Sequence, residues 1–171
     1  MKGKLGVGIL GTGWVSNEHI KAFQQNPHTA VAAILSRERA RAEAKAREHG
    51  LPECRPYTDL GELLRDDRVH IISICTPHHL HAEQGIRSAE AGRHVLVEKP
   101  IALDLASLRQ LEAAVEKAGV RSVVSFVLRF NPLFENIKAM LADNLIGEIG
   151  YAEVDYFHGI GRWAKQYAWN I

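Results

Sequence analysis

Five short apolar runs most constrain the fold of this chain. Each run is apolar at nearly every position, as expected for a strand buried on both faces of a parallel sheet. The predicted strands are 5–10, 30–35, 69–75, 94–97 and 122–127. Between them lie segments with helical spacing, and the clearest places Leu105, Leu108, Leu111 and Val115 on one stripe. This alternation predicts right-handed βαβ crossovers and an α/β fold with a doubly wound parallel sheet.

Capping residues mark the ends of the predicted helices. Asp104 precedes the helix that starts at 105, and Asp59 and Glu62 have the spacing of a capping box. Three glycines follow predicted helices at the position that favours a left-handed residue: Gly50, Gly92 and Gly119. These start and stop signals agree with the helical spacing.

The composition limits the compartment and the partners. Among 171 residues, 46% are apolar and 24% charged, which is typical of a folded protein. A net charge of +1 leaves no broad basic surface for nucleic acid or an anionic membrane. Cys54 and Cys75 are far apart, which favours a reducing compartment, and no apolar stretch approaches the roughly 20 residues of a membrane span. We therefore expect a cytoplasmic protein without nucleic-acid or membrane partners.

A glycine-rich turn follows the first predicted strand. Gly11, Gly13 and Ser16 give the pattern G-x-G-x-x-S, with a small residue where many dinucleotide-binding proteins have a third glycine. The helix that follows would present its N-terminal amides to a phosphate. The alternative is a glycine turn without a ligand, but the strand before it and the helix after it favour a nicotinamide dinucleotide. The predicted contacts here are Gly11, Thr12, Gly13, Trp14 and Val15.

The residues after the second predicted strand bear on the choice between NAD and NADP. Proteins that prefer NAD often have an acid about 20 residues beyond the glycine loop, where it binds the ribose hydroxyls. This chain has Ser36 and Arg37 there, and a guanidinium suits a 2′-phosphate. We therefore predict cofactor contacts from both residues and favour NADP over NAD, although Glu38 lies next to them and Arg37 could instead be a solvated surface residue.

Further motifs follow in order along the chain. The glycine loop is followed by His-Ile-Lys-Ala-Phe at 19–23, Cys-Thr-Pro-His-His-Leu-His at 75–81, Ala-Gly-Arg-His-Val-Leu-Val-Glu-Lys-Pro at 91–100, and Arg-Phe-Asn-Pro at 129–132. With these motifs, the chain resembles the glucose-fructose oxidoreductase and inositol dehydrogenase family (Gfo/Idh/MocA) over essentially its whole length. Glu-Lys-Pro after a strand is the most specific of them.

The resemblance implies the rest of the site. It implies a catalytic Lys99, which would accept or relay the proton of a substrate hydroxyl. The implied cofactor contacts are Cys75, Thr76, Pro77, His78, His81, Glu98, Lys99 and Arg129. The family often has asparagine where this chain has His78, and it often has a cis peptide before the proline that corresponds to Pro100. Without the resemblance, a structural ion pair would be the first interpretation of Lys99.

Three nearby histidines raise the question of a metal site. His78, His79 and His81 have no carboxylate or cysteine at ligand spacing, and a helix start would put His79 off the face of the other two. We therefore predict no metal.

The domain organisation divides near residue 127. We predict an NAD(P)-binding Rossmann domain over 1–127, then a connecting helix and the first strand of a truncated α+β substrate domain over 128–171. The predicted helix is Leu133–Leu141, and the predicted strand is 148–158. Beyond the strand lie Trp163, Tyr167 and Trp169, which would either approach the substrate or serve only in packing. Relatives continue for about as many residues again and carry a substrate-domain histidine.

The function implied by the resemblance is NAD(P)-dependent hydride transfer to or from a sugar, cyclitol or related polyol. The resemblance also leads us to expect a homo-oligomer in the full-length form, and cofactor binding without turnover by this chain alone. Two alternatives stay open: a non-catalytic dinucleotide-binding or sensing module, and a reductase acting on an imine or a pyrrole, such as the bilin reductases.

Overall fold

The computed structural model describes residues 3–157, and its core is a six-stranded parallel sheet with helices. The strands are β1 (Leu5–Leu10), β2 (Thr29–Leu35), β3 (Arg55–Tyr57), β4 (Ile71–Ile74), β5 (His94–Val97) and β6 (Ser122–Val124). The α-helices are α1 (Trp14–Gln25), α2 (Arg39–Glu48), α3 (Leu60–Leu64), α4 (His81–Glu90), α5 (Leu105–Ala118) and α6 (Pro132–Ala142). The strand order β3-β2-β1-β4-β5-β6 is that of a Rossmann domain, so the predicted fold class is confirmed.

Apolar side chains pack on both faces of this sheet. One cluster joins Val7 and Ile9 of β1 to Ile20 of α1 and Ala42 of α2. The other joins strand residues to α3 and α4, with part of α5 packed against it. Strands β1, β2 and β4 contribute side chains to both clusters, which explains why their sequences are apolar at nearly every position.

Glycine is required at one position of β1 and is closely packed at a second. A Cβ built on Gly6 would lie 1.7 Å from the carbonyl oxygen of Arg68, and one on Gly8 would lie 3.1 Å from side-chain carbons of Ile72 and Leu63. Helix α3 and the loop before β4 therefore lie directly against the backbone of β1. This close approach holds the strand from which the glycine loop emerges.

The predicted helix ends are confirmed. Asp104 accepts a hydrogen bond from the Ser107 amide at 2.8 Å, and Asp59 accepts one from the Glu62 amide at 2.8 Å. The three predicted stop residues have left-handed φ values of 62°, 71° and 65°: Gly50, Gly92 and Gly119. The predicted helix near 133–141 is α6, which Asn131 caps by accepting from the Leu133 amide.

The structure differs from the sequence prediction at three strands. The strand predicted over 122–127 ends at Val124, because Val127 already begins a 3₁₀ helix. The sequence analysis missed β3, a three-residue edge strand that contains Pro56, because a proline and a short length give no apolar run. A strand predicted over 148–158 has no counterpart in the described part, 148–157. The apolar side chains there are exposed, as Phe157 is at 99%, and no described strand pairs with the segment. An apolar alternation without a partner strand does not by itself form a sheet.

The chain divides into two units, Met1–Ser125 and Phe126–Ile171. The first contains the whole sheet, and the described part of the second contains α6 and a short 3₁₀ helix, Val127–Phe130. Over residues 3–157, no helix is long and apolar enough to cross a membrane.

A buried carboxylate joins the edge strand β3 to the loop before β4. The Asp66 carboxylate accepts from the Arg68 guanidinium at 2.6 Å and from the Tyr57 hydroxyl at 2.9 Å. The hydrogen bonds from Arg68 outweigh the effect of burial and hold the pKa of Asp66 well below its ordinary value. Asp66 is therefore a charged anchor for the edge of the sheet.

We expect Asp66→Asn to lower the free energy of unfolding by about 2 kcal/mol at pH 7, because Arg68 loses the charge of its partner. The folded-state pKa is depressed, so this contribution is present above the unfolded pKa of about 4 and is lost as the pH falls below it. Urea unfolding at pH 7 and at progressively lower pH measures both effects. The control is Asp67→Asn at the exposed neighbouring carboxylate. A gap between wild type and Asp66→Asn that stays constant in acid would contradict the assignment.

Candidate cofactor and catalytic site

The glycine loop begins with a residue that only glycine fits. Gly11 has a φ of 98°, and a Cβ on it would lie 2.7 Å from the carbonyl oxygen of Cys75. Its amide donates to the carbonyl oxygen of Leu35 at 2.9 Å. The loop therefore turns sharply between the ends of β2 and β4, as the glycine pattern predicts.

The second glycine faces open space at the start of α1. A Cβ built on Gly13 would have no heavy atom within 4 Å, and its φ of −69° is open to any residue. No side chain caps this helix end, and no acidic residue lies in its first turn. The Ser16 hydroxyl is fully buried and donates to the Gly13 carbonyl at 2.6 Å. The helix start therefore has an uncapped end with a positive dipole, which is the chemistry of an anion site.

Four neighbouring strands bring the predicted contacts to one edge of the sheet. Because β2, β1, β4 and β5 are parallel and adjacent, the segments after them all leave at the carboxyl edge. Thr12, Trp14 and Val15 follow β1, and Trp14 is 69% exposed. After β2, Ser36 is buried, and its amide donates to the Tyr57 carbonyl at 3.0 Å, whereas Arg37 is exposed.

Residues after β4 form a closely bonded turn. The Thr76 hydroxyl donates to the side-chain oxygen of Gln84 at 2.6 Å, and Pro77 precedes the 3₁₀ helix His78–Leu80. Cys75 is buried, and its amide continues the sheet by donating to the Leu10 carbonyl at 2.9 Å. Gln84 was not predicted as a partner of Thr76, because it lies on α4 and nothing in the motif points to it.

His81 is buried between two backbone carbonyl groups, an arrangement that the sequence does not predict. Its ring is fully buried, with Nδ1 at 2.7 Å from the Pro100 carbonyl oxygen and Nε2 at 2.7 Å from the Thr76 carbonyl oxygen. The imidazole therefore bridges the segments after β4 and β5. The ring therefore fixes the turn after β4 to the turn after β5, and a direct contact with a cofactor stays a prediction.

His78 lies closer to the surface than His81. Its ring centroid is 5.6 Å from that of His81, in an edge-to-face arrangement. Burial lowers the pKa of His78, and the neighbouring His81 and Lys99 side chains act in the same direction. His78 therefore favours the neutral form, which can donate from one ring nitrogen and accept at the other.

Lys99 lies on the turn that follows β5. It is exposed, forms no ion pair with any residue between 3 and 157, and precedes Pro100 through a cis peptide bond. The alternative interpretation of Lys99 as part of a structural ion pair therefore has no support within those residues. The ammonium is available to a ligand at the carboxyl edge of the sheet.

Glu98, unlike Lys99, has a charged or hydrogen-bonding side-chain partner among the described residues. Its carboxylate lies 3.1 Å from Nε2 of His19, and Nδ1 of His19 lies 2.8 Å from the Ser73 hydroxyl. Burial raises the pKa of Glu98, but hydrogen bonds from His19 and Ser125 outweigh it, and the pKa lies below its ordinary value. The sequence analysis noted His19 only as part of a motif, and this pairing was missed because 79 residues separate the partners.

Two groups of predicted residues belong to the second unit or lie outside the described residues. Arg129 belongs to the 3₁₀ helix Val127–Phe130 of the second unit, and its role stays a prediction. Trp163, Tyr167 and Trp169 lie outside the described residues. Between residues 3 and 157, no group of three or more His, Cys, Asp or Glu side chains could hold a metal ion.

The strand order, the glycine turn and the uncapped helix start together define the dinucleotide-binding class of Rossmann domains. Residues 5–126 match the model of an oxidoreductase family with an NAD-binding Rossmann fold, the Gfo/Idh/MocA family. The chain belongs to this family, and the resemblance seen in the motifs is confirmed.

Three similar proteins illustrate the range of the family. The D-xylose 1-dehydrogenase (NADP(+)) 2 of Haloferax volcanii is 38% identical over 139 residues, which is 81% of this chain and 42% of that protein. The inositol 2-dehydrogenase of Paracoccus denitrificans is 35% identical over 141 residues, again 81% of this chain and 42% of that protein. Among solved structures, the WlbA dehydrogenase from Bordetella pertussis, in complex with NADH and UDP-GlcNAcA, has a TM-score of 0.79 and 29% identity over 87% of this chain and 42% of its own.

The chain spans less than half the length of the curated relatives that it matches. The region of similarity contains the glycine loop and the turn that carries Lys99. Binding of NAD(P) is thus a property of the family in the region that this chain shares with it.

Proposed function

We propose that this chain is the cofactor-binding part of an NAD(P)-dependent oxidoreductase that transfers hydride to or from a sugar, cyclitol or related polyol. The observation that carries the proposal is the exposed ammonium of Lys99, without an ion pair in the described residues, at the same sheet edge as an uncapped helix start. The names of the xylose and inositol dehydrogenases above support the substrate class.

The residues of the glycine loop suit the diphosphate of a dinucleotide. Gly13 leaves the space that a Cβ would fill, and the amides of Trp14 and Val15 lie at the positive end of α1. The proposed nicotinamide end lies near Thr76, Pro77 and Lys99, at the ends of the two neighbouring strands. When bound, the nicotinamide supplies the hydride acceptor or donor.

Lys99 supplies the acid-base group in this proposal. A carbinol gives up hydride readily only as its hydroxyl proton leaves, and Nζ of Lys99 would accept that proton or return it in the reverse reaction. Gln84 and His81 hold the segments that frame the Lys99 turn. We expect this chain alone to bind cofactor without appreciable polyol turnover, since it spans less than half the length of the xylose and inositol dehydrogenases.

We further propose that the cofactor is NADP in preference to NAD. Arg37 is exposed at the end of β2 and forms no ion pair with the residues described. Its neighbours are engaged: Glu38 lies 3.2 Å from Arg41, and Arg39 lies 3.1 Å from Glu43. Arg37 is therefore the guanidinium available to a 2′-phosphate on the ribose.

Calorimetric titration of the 171-residue chain with NADPH and with NADH tests both proposals. We expect heat with both cofactors and tighter binding of NADPH, and we expect Arg37→Gln to weaken NADPH binding about tenfold without changing NADH binding. The matched control is Arg39→Gln, which removes the same charge from a guanidinium that is already paired. No heat with either cofactor would refute the proposed function, and an equal loss in both variants would refute the assignment to Arg37.

A further inference from the structure

His19 makes a buried bridge between three elements of the first unit. It lies on the second turn of α1, and its ring bonds Ser73 of β4 through Nδ1 and Glu98 through Nε2, at 2.8 and 3.1 Å. The ring is 9% exposed, and the Glu98 side chain is 13% exposed. The contact is therefore shielded from solvent, where a charged hydrogen bond is stronger than at a surface.

The two partners carry opposite charges at neutral pH. Burial alone would lower the pKa of His19, but the neighbouring Cys75 and Glu98 side chains outweigh it and raise the pKa to about 10. The Glu98 carboxyl has a lowered pKa and is ionised. A protonated imidazole donates from both nitrogens, which matches the two acceptors, the Ser73 hydroxyl and the Glu98 carboxylate.

The position of the bridge connects the two halves of the proposed site. Helix α1 begins at the open glycine turn, and five residues later it carries His19. Glu98 immediately precedes Lys99 in the chain, and its amide is fixed by the Ile74 carbonyl at 3.0 Å. On the other side of Lys99, His81 holds the Pro100 carbonyl at 2.7 Å. Among the side-chain hydrogen bonds of residues 3–157, the one between His19 and Glu98 joins the Lys99 turn to the helix that would bind the diphosphate.

We propose that His19 is a positioning residue that ties the Lys99 turn to helix α1, so that cofactor binding at the start of α1 determines where the Lys99 ammonium lies. This inference rests on the proposed function of Lys99 and of the glycine loop. It assigns no chemical step to His19, which acts through Glu98.

Competitive acetylation of Lys99, read by mass spectrometry with Lys117 as internal reference, tests the inference on the 171-residue chain. In the wild-type protein, we expect saturating NADPH to slow the labelling of Lys99 relative to Lys117 by about fivefold or more. In His19→Leu, we expect that protection to fall by at least half while calorimetry still detects NADPH binding, because only direct shielding by the nicotinamide remains. His19→Gln keeps one donor toward Glu98 and should restore part of the protection, whereas Lys21→Ala, an exposed change on the same helix, should behave as wild type.

A purely structural bridge would give a different result. It would make His19→Leu less stable to urea but leave the cofactor protection of Lys99 intact in the folded protein, and this outcome would overturn the inference. If His19→Leu does not fold, Glu98→Gln removes the charge at similar volume, and its Lys99 protection must then fall below that of wild type. If neither the wild-type protein nor any variant binds NADPH, the proposed function fails. The link between His19 and the Lys99 turn is then tested by the labelling rate of Lys99 without cofactor, which must differ between the wild-type protein and the His19→Leu and Glu98→Gln variants.

Discussion

Replacing Lys99 with alanine is expected to slow hydride transfer by about a thousandfold while leaving cofactor affinity nearly unchanged. A loss of this size is typical when a general acid or base is removed. The side chain is exposed and without an ion pair in the described part of the chain, so the fold does not depend on its charge. The measurement is steady-state turnover of a polyol panel, with NADP and NAD, by the protein expressed from the complete reading frame that contains these residues. Calorimetry gives the cofactor affinity.

A control and a rescue make this result specific. Lys117→Ala removes an exposed lysine at the end of α5 and should leave the rate unaltered. A small alkylamine added to Lys99→Ala should restore part of the rate, because it can fill the space left by the side chain and carry the same proton. A loss in rate of less than about tenfold would show that Lys99 is not the acid-base group. Absence of turnover in the wild-type protein, despite cofactor binding, would favour a sensing module.

Replacing Gly13 with valine is expected to weaken dinucleotide binding by about a hundredfold without destabilising the protein. The side chain would enter the open space in front of the α1 start and prevent the phosphate from reaching the amides. The charged hydrogen bonds lost in this way are worth about 2 to 3 kcal/mol of binding free energy. Gly13 has a φ open to any residue, so the folded backbone accepts the change. Calorimetry with NADPH and urea unfolding measure the two expectations.

Two other glycines give the comparison. Gly150→Val is the matched control, because a Cβ there also meets no atom within 4 Å and no phosphate is proposed nearby. Gly11→Ala should behave in the opposite manner and lower stability, since its φ is 98° and its Cβ would collide with the Cys75 carbonyl. Undiminished NADPH binding by Gly13→Val would show that the diphosphate lies elsewhere.

The features that could be predicted from the sequence are those decided by local chemistry. The doubly buried strands, the caps at Asp59 and Asp104, and the left-handed turn at Gly119 each depend on residues within a few positions of one another. The sharp turn at Gly11 belongs to the same group. The short edge strand β3 escaped prediction because Arg55–Tyr57 has no apolar periodicity, and its pairing with β2 depends on that neighbouring strand.

The contacts behind the site could not be predicted in the same way. His19 and Glu98 are 79 residues apart, and only the parallel order of β1, β4 and β5 brings α1 beside the Lys99 turn. His81 belongs to a motif that suggested a cofactor contact, but whether a ring points to the cleft or into the protein depends on where helix α4 begins. Residue identity indicated that these positions mattered, and the three-dimensional packing was needed to assign their partners.

One face of β1 carries Gly6 and Gly8, and the two faces of this strand are therefore expected to tolerate substitutions to very different degrees. Val7 and Ile9 pack among aliphatic side chains that can adjust by rotamer changes, so moderate changes in their size can be absorbed. On the opposite face, a methyl group at Gly6 would overlap the backbone of Arg68, and no rotamer change relieves a collision with a backbone atom. A substitution there would displace the strand from which the glycine loop emerges, and would impair the protein at a position for which no ligand contact is proposed.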